Sequence, residues 1–64
     1  MSAREIEVLR LSATGKTNKE IGDTLKIAVK TVEVHKSSAM RKLQLRNRAE
    51  TLRFAELKGW LQDL

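Results

Sequence analysis

Three times in this chain a residue able to cap a helix stands three positions ahead of a glutamate: Ser2 and Glu5, Thr17 and Glu20, Asn47 and Glu50. In the first two cases the hydroxyl and the carboxylate can each satisfy a free backbone N–H of the other's residue, which makes a capping box. The third is a cap-like start of the same form. Apolar residues at helical spacing follow each one: Ile6, Val8, Leu9, Leu11 and Ala13; then Ile21 and Leu25; then Ala49, Leu52, Ala55 and Leu57. Gly15 and Gly59 supply left-handed residues that end helices. Between the second and third starts runs another amphipathic stretch, Val29, Val32, Ala39, Met40 and Leu43, with the stem of Lys36 along its edge. The chain has no proline, and β-type alternation is confined to "TVEVH". The pattern predicts an all-α, compact four-helix domain with helices over about 3–14, 18–25, 29–43 and 48–58. Gly22 falls inside the second helix, where glycine costs roughly 1 kcal/mol against alanine, and close approach of a neighbouring helix is the expected compensation. Phe54, Trp60, Leu61 and Leu64 add apolar surface that one small core does not fully absorb.

A chain of 64 residues is one small domain, and chains of this size bury only about 60% of their unfolded surface. It has no cysteine, so neither disulfides nor a thiolate zinc site can reinforce it. One histidine gives no basis for a metal cluster. No apolar run approaches the length of a membrane span, and no secretion signal is evident; the expected setting is cytoplasmic. The formal net charge is +5, and its placement is uneven. Residues 30–48 hold six basic side chains and one acidic, whereas the segments before and after nearly balance. A field concentrated in this way attracts polyanions, nucleic acid foremost.

The second and third helices are separated by two or three residues. A short helix, a tight turn and a longer basic helix make a helix-turn-helix, in which the second helix enters the major groove of DNA. By spacing alone this is moderately specific, since many helical bundles have such a corner. The stretches "SAREIEVLRL", "GKTNKEIGDTLKIAVKTVEVHKSSAMRKL" and "RNRAETLRFA" together resemble the LuxR-type (NarL/FixJ) DNA-binding domain of bacterial transcription regulators, over nearly the whole chain and in the right order. The resemblance implies a four-helix fold with helix three as the recognition helix. It implies sequence-specific binding to double-stranded promoter DNA for transcription regulation, as a homodimer on inverted half-sites. It also implies a contact with RNA polymerase and an N-terminal receiver or sensing domain beyond this chain, as in a two-component response regulator. The glutamate at position 33 is closest to a FixJ-like branch, where many other members have lysine. Two departures stand out. Ala28 occupies a position where the family usually caps helix three with serine, and Met1 one where it usually has leucine, so a fragment cut at a domain boundary is expected.

Carried over position by position, the resemblance makes Glu33, Val34 and Ser37 the candidate base readers. A glutamate can accept from the cytosine amine, and an apolar side chain can contact the thymine methyl. The bland alternatives are an ion pair of Glu33 with Lys30 or Lys36, and a stray exposed valine. Thr17, Asn18, Lys19, Lys30, Thr31, His35, Lys36, Arg41 and Lys42 are the phosphate candidates, which anchor without reading sequence. For His35 the bland alternatives are a half-buried or plain surface residue. Ala49, Arg53, Glu56 and Trp60 on the last helix are candidates for a weak dimer contact.

No cofactor and no enzymatic activity are expected, because no nucleophile–base set or metal cluster is placed by any motif. Lys16 and Thr17 after Gly15 read "GKT", but the upstream glycine of a phosphate loop is missing. The main alternative is a basic helical module that docks an acidic protein. A nonspecific RNA or membrane-surface binder is disfavoured by the scarcity of aromatics, Phe54 and Trp60 alone.

Overall fold

The structure, a computed structural model, describes residues 1–61. Its four helices are α1 (Ala3–Ala13), α2 (Asn18–Leu25), α3 (Val29–Lys42) and α4 (Arg48–Leu57), with no strand among the described residues. The all-α class read from the cap spacing is what the backbone adopts. Leu64, expected to add exposed apolar surface, lies outside the described residues.

Both capping boxes form. The Ser2 hydroxyl accepts from the Glu5 N–H at 3.2 Å while the Ser2 N–H donates to the Glu5 carboxylate at 2.8 Å. Thr17 and Glu20 repeat the exchange at 3.1 and 2.8 Å. These bonds, the Thr17 N–H foremost, hold the Glu20 carboxyl below its ordinary range. The start of α4 is different. Asn47 accepts from the Glu50 N–H at 3.0 Å, but Glu50 reaches past it to the Arg46 N–H at 2.6 Å. Ala28 precedes α3 with no side-chain cap.

All four helices end alike. A left-handed residue follows the last turn, and the next amide reaches five residues back: Lys16 to Leu11, Ile27 to Gly22, Leu45 to Met40 and Trp60 to Ala55, at 2.8 to 3.3 Å. The bonds satisfy carbonyls that the helix itself leaves free. The left-handed residue is Gly15 after α1 and Gly59 after α4, but Lys26 (φ 59°) after α2 and Gln44 (φ 58°) after α3. Two ends therefore fall where no glycine marks them.

The core centres on Val8, Ile21 and Val32, one from each of the first three helices, with Leu11, Leu25 and Ile27 packed around them. Leu9 is also fully buried, as are Ala39 of α3 and Ala55 of α4. α1 packs chiefly on α3, α2 on α3, and α4 on α1. Three residues expected on apolar faces are exposed instead: Ile6 by 38%, Val29 by 41% and Leu57 by 75%. Leu57 follows the buried Ala55 by two positions, about 200° around a helix, which turns it to solvent. Ala49 is exposed as well. The inner face of α4 holds Thr51 instead, buried with its hydroxyl donating to the Asn47 carbonyl at 3.1 Å.

Gly22 is tied to the turn. A β-carbon there would lie 2.7 Å from the Ile27 carbonyl oxygen, and ordinary contact distances from Val29 and Val32 of α3. The expected close approach exists, but the turn makes it more than the helix body does.

Candidate nucleic-acid interface

At about 100° per residue, α3 turns Val32 and Ala39 into the core and leaves the opposite side to solvent. On that side Lys30, Glu33, Val34, Ser37, Ser38 and Arg41 line one shallow, open groove. Val34 is 60% exposed within it. The ion pair that would explain Glu33 locally is absent: among the described residues Glu33 makes no salt bridge, nor do Lys30, Lys36 and Arg41. The groove thus presents two unpaired cations, one unpaired carboxylate, an apolar surface and the Ser37 hydroxyl, while the Ser38 hydroxyl in its wall is turned to Glu5. Its cations suit phosphate, and its other groups can sort donors from methyl groups.

The remaining phosphate candidates fall in three places. Thr17, Asn18 and Lys19 begin α2. There Thr17 is engaged as the cap, and Lys19 lies 3.9 Å from Asp23 in an exposed pair. Thr31, His35 and Lys42 lie on one flank of α3, with Thr31 exposed and His35 half-buried. Lys36 lies on the other flank, half-buried, in a recess formed with Ser12, Ala13, Met40, Arg48, Thr51 and Leu52. The groove therefore brings together all three candidate base readers but only Lys30 and Arg41 of the candidate anchors.

A buried carboxylate borders this surface. Glu5 of α1 is 5% exposed. Beyond its bond with Ser2, it accepts from the Ser38 hydroxyl through one oxygen and from the Lys42 ammonium at 3.0 Å through the other. The Ser38 hydroxyl, then the Ser2 N–H and the Lys42 ammonium, hold its carboxyl far below the ordinary glutamate range. The sequence reading found Glu5 as a cap and missed its grip on α3. A capping box accounts for one carboxylate oxygen, and nothing in the local spacing points to residues 38 and 42.

On α4, Ala49, Arg53 and Glu56 are all exposed and share one face by helical spacing. Trp60 is half-buried, packed edge-to-face on Phe54 with ring centroids 5.4 Å apart and planes at 75°. The Lys58 ammonium sits 5.6 Å from the Phe54 centroid. No group of side chains suited to a metal ion occurs among the described residues, and no described helix is long and apolar enough to cross a membrane.

Set beside known proteins, residues 1–55 match the family described as "Bacterial regulatory proteins, luxR family". The chain is 48% identical over 63 residues to the oxygen regulatory protein NreC of Staphylococcus carnosus, covering 98% of this chain and 29% of that protein. It is 45% identical over 62 residues to the protein of the same name from Staphylococcus aureus, covering 97% and 29%. The chain thus spans less than a third of the length of these relatives.

Proposed function

The chain belongs to the luxR family of bacterial regulatory proteins, and on that premise we propose that it binds double-stranded promoter DNA sequence-specifically through the outer side of α3. Helix α3 enters the major groove. Glu33, Val34 and Ser37 face base edges, and Lys30 and Arg41 anchor to the phosphates on either side. Thr17, Asn18 and Lys19 at the start of α2, with Thr31 and His35, meet the backbone nearer the turn. Lys36 reaches phosphate from the α4 side of the helix. Two copies sit on inverted half-sites, with the Ala49, Arg53 and Glu56 face of α4 and the nearby Trp60 at a small contact between them. The chain serves as the effector domain of a longer cytoplasmic response regulator, downstream of a receiver or sensing domain, and it acts at promoters through RNA polymerase.

The observation that carries this reading is the composition of the groove. Phosphate attraction explains Lys30 and Arg41, but it is opposed by a carboxylate at Glu33. An unpaired acid in that position is useful where it discriminates bases. It would weaken docking of an acidic protein partner, the competing reading. Titration with a cognate and a scrambled duplex at increasing salt tests the proposal. Specific binding that falls steeply with salt is expected, because each phosphate contact releases counterions. Equal affinity for both duplexes would contradict it.

A further inference from the structure

The recognition helix is held from behind by a residue that faces no DNA. Ser38 and Lys42 are four apart on α3 and so share one stripe of the helix. Glu5 grips both, from the first turn of α1, where its backbone and side chain are already fixed by Ser2. Ser38 is also part of the groove wall, beside Ser37. A rotation or slide of α3 that moved the groove would have to break the bonds of Ser38 and Lys42 to a nearly buried carboxylate. Lys42 pays a second role in this arrangement. Its side chain is 48% exposed, yet its ammonium rests on Glu5, whereas the Lys30 ammonium and the Arg41 guanidinium make no ion pair among the described residues.

Building on the DNA-binding reading above, we propose that Glu5 is a positioning residue for recognition: it fixes the rotation of α3 through Ser38 and withholds the charge of Lys42 from phosphate. Glutamine at position 5 keeps the length of the side chain and can still cap α1, but it cannot neutralise Lys42. Freed of its partner, Lys42 gains a phosphate contact that is indifferent to sequence, while α3 loses one of its restraints. Nonspecific affinity rises and the ratio of specific to nonspecific binding falls.

The test measures duplex affinity against salt for the wild type, Glu5→Gln, Lys42→Ala, Lys30→Ala and the Glu5→Gln/Lys42→Ala double variant, each confirmed folded by circular dichroism. One phosphate contact contributes about 0.9 to the slope of log affinity against log salt. Lys30→Ala is expected to flatten the slope by about that amount, and Lys42→Ala by much less. Glu5→Gln is expected to steepen it by up to about 0.9, and the double variant to return it to near the wild-type value. A purely structural role for Glu5 would lower the folded fraction and leave these slopes alone. An unchanged slope in folded Glu5→Gln, or a full unit lost in Lys42→Ala, would overturn the inference while leaving DNA binding intact. Failure of the wild type to bind duplex at any salt would instead remove the reading beneath it. Should Glu5→Gln not fold, the comparison of Lys42→Ala with Lys30→Ala decides alone.

Discussion

The backbone of Ile27 folds directly over Gly22. Its amide donates to the Gly22 carbonyl at 3.0 Å, and its own carbonyl oxygen stands 2.7 Å from where a β-carbon on residue 22 would lie. This contact closes the corner between α2 and α3.

Gly22→Ala should therefore destabilise the domain. Alanine favours a helix interior by about 1 kcal/mol over glycine, but the obstructing atom is backbone and cannot swing aside. Overpacking of this kind costs about 1–3 kcal/mol. A lower midpoint of thermal unfolding is expected, with weaker DNA binding where the fold persists. A raised midpoint would show that the turn can yield.

Ala28→Ser should act in the opposite direction. Ala28 stands in extended backbone at the start of α3 and offers no side-chain oxygen to the free amides beyond it. A serine cap contributes about 1 kcal/mol, which in a domain of this size raises the melting temperature by roughly 4–8 °C. Thermal denaturation followed by circular dichroism measures it directly. No change would mean that these amides are already well satisfied by water.

Acid should loosen the grip of α1 on α3. The Glu5 carboxyl is held below its ordinary range by Ser38, Ser2 and Lys42, so the folded state binds its proton less readily than the unfolded chain does. The stability this contributes is complete above the unfolded value of about 4.3 and is lost progressively as pH falls beneath it. Glu20 and Glu50 are shifted in the same direction by the Thr17 and Arg46 amides. Urea midpoints should hold level from pH 6 to about 4.3 and then fall toward pH 2.5, less steeply for Glu5→Gln than for the wild type. Parallel curves would show that Glu5 does not distinguish the two states.

Much of this architecture is written locally. Ser2 with Glu5 and Thr17 with Glu20 announce two helix starts because a cap needs only residues three apart, and the structure forms both boxes. The rest depends on contacts the spacing does not contain. Lys26 and Gln44 end helices in left-handed backbone without a glycine to mark them. Leu57 counts as apolar in sequence but points outward, while Thr51 takes an inner position because its hydroxyl is satisfied within its own helix. On α3 the alternation of inner and outer residues is legible in the helical spacing, which by itself puts Lys30, Glu33, Val34, Ser37 and Arg41 on the side where the groove lies. The division among the cations is not legible. Lys36 faces a recess of α1 and α4, and Lys42 faces Glu5, partners lying more than 30 residues away in sequence for Lys42. Charge counting treats all basic residues of a segment alike, whereas tertiary packing separates them.

If Glu33 reads bases while its cationic neighbours anchor, as proposed, removing each must have a different kind of effect. Selection from a randomised duplex pool, run in parallel with the wild type, Glu33→Ala and Lys30→Ala, tests it most directly. Lys30→Ala should bind every selected sequence more weakly and keep the same order of preference. Glu33→Ala should change the order at one base-pair position, where discrimination of about 1–3 kcal/mol is at stake. An unchanged preference in Glu33→Ala, with affinity shifted equally across all sequences, would exclude Glu33 from base reading.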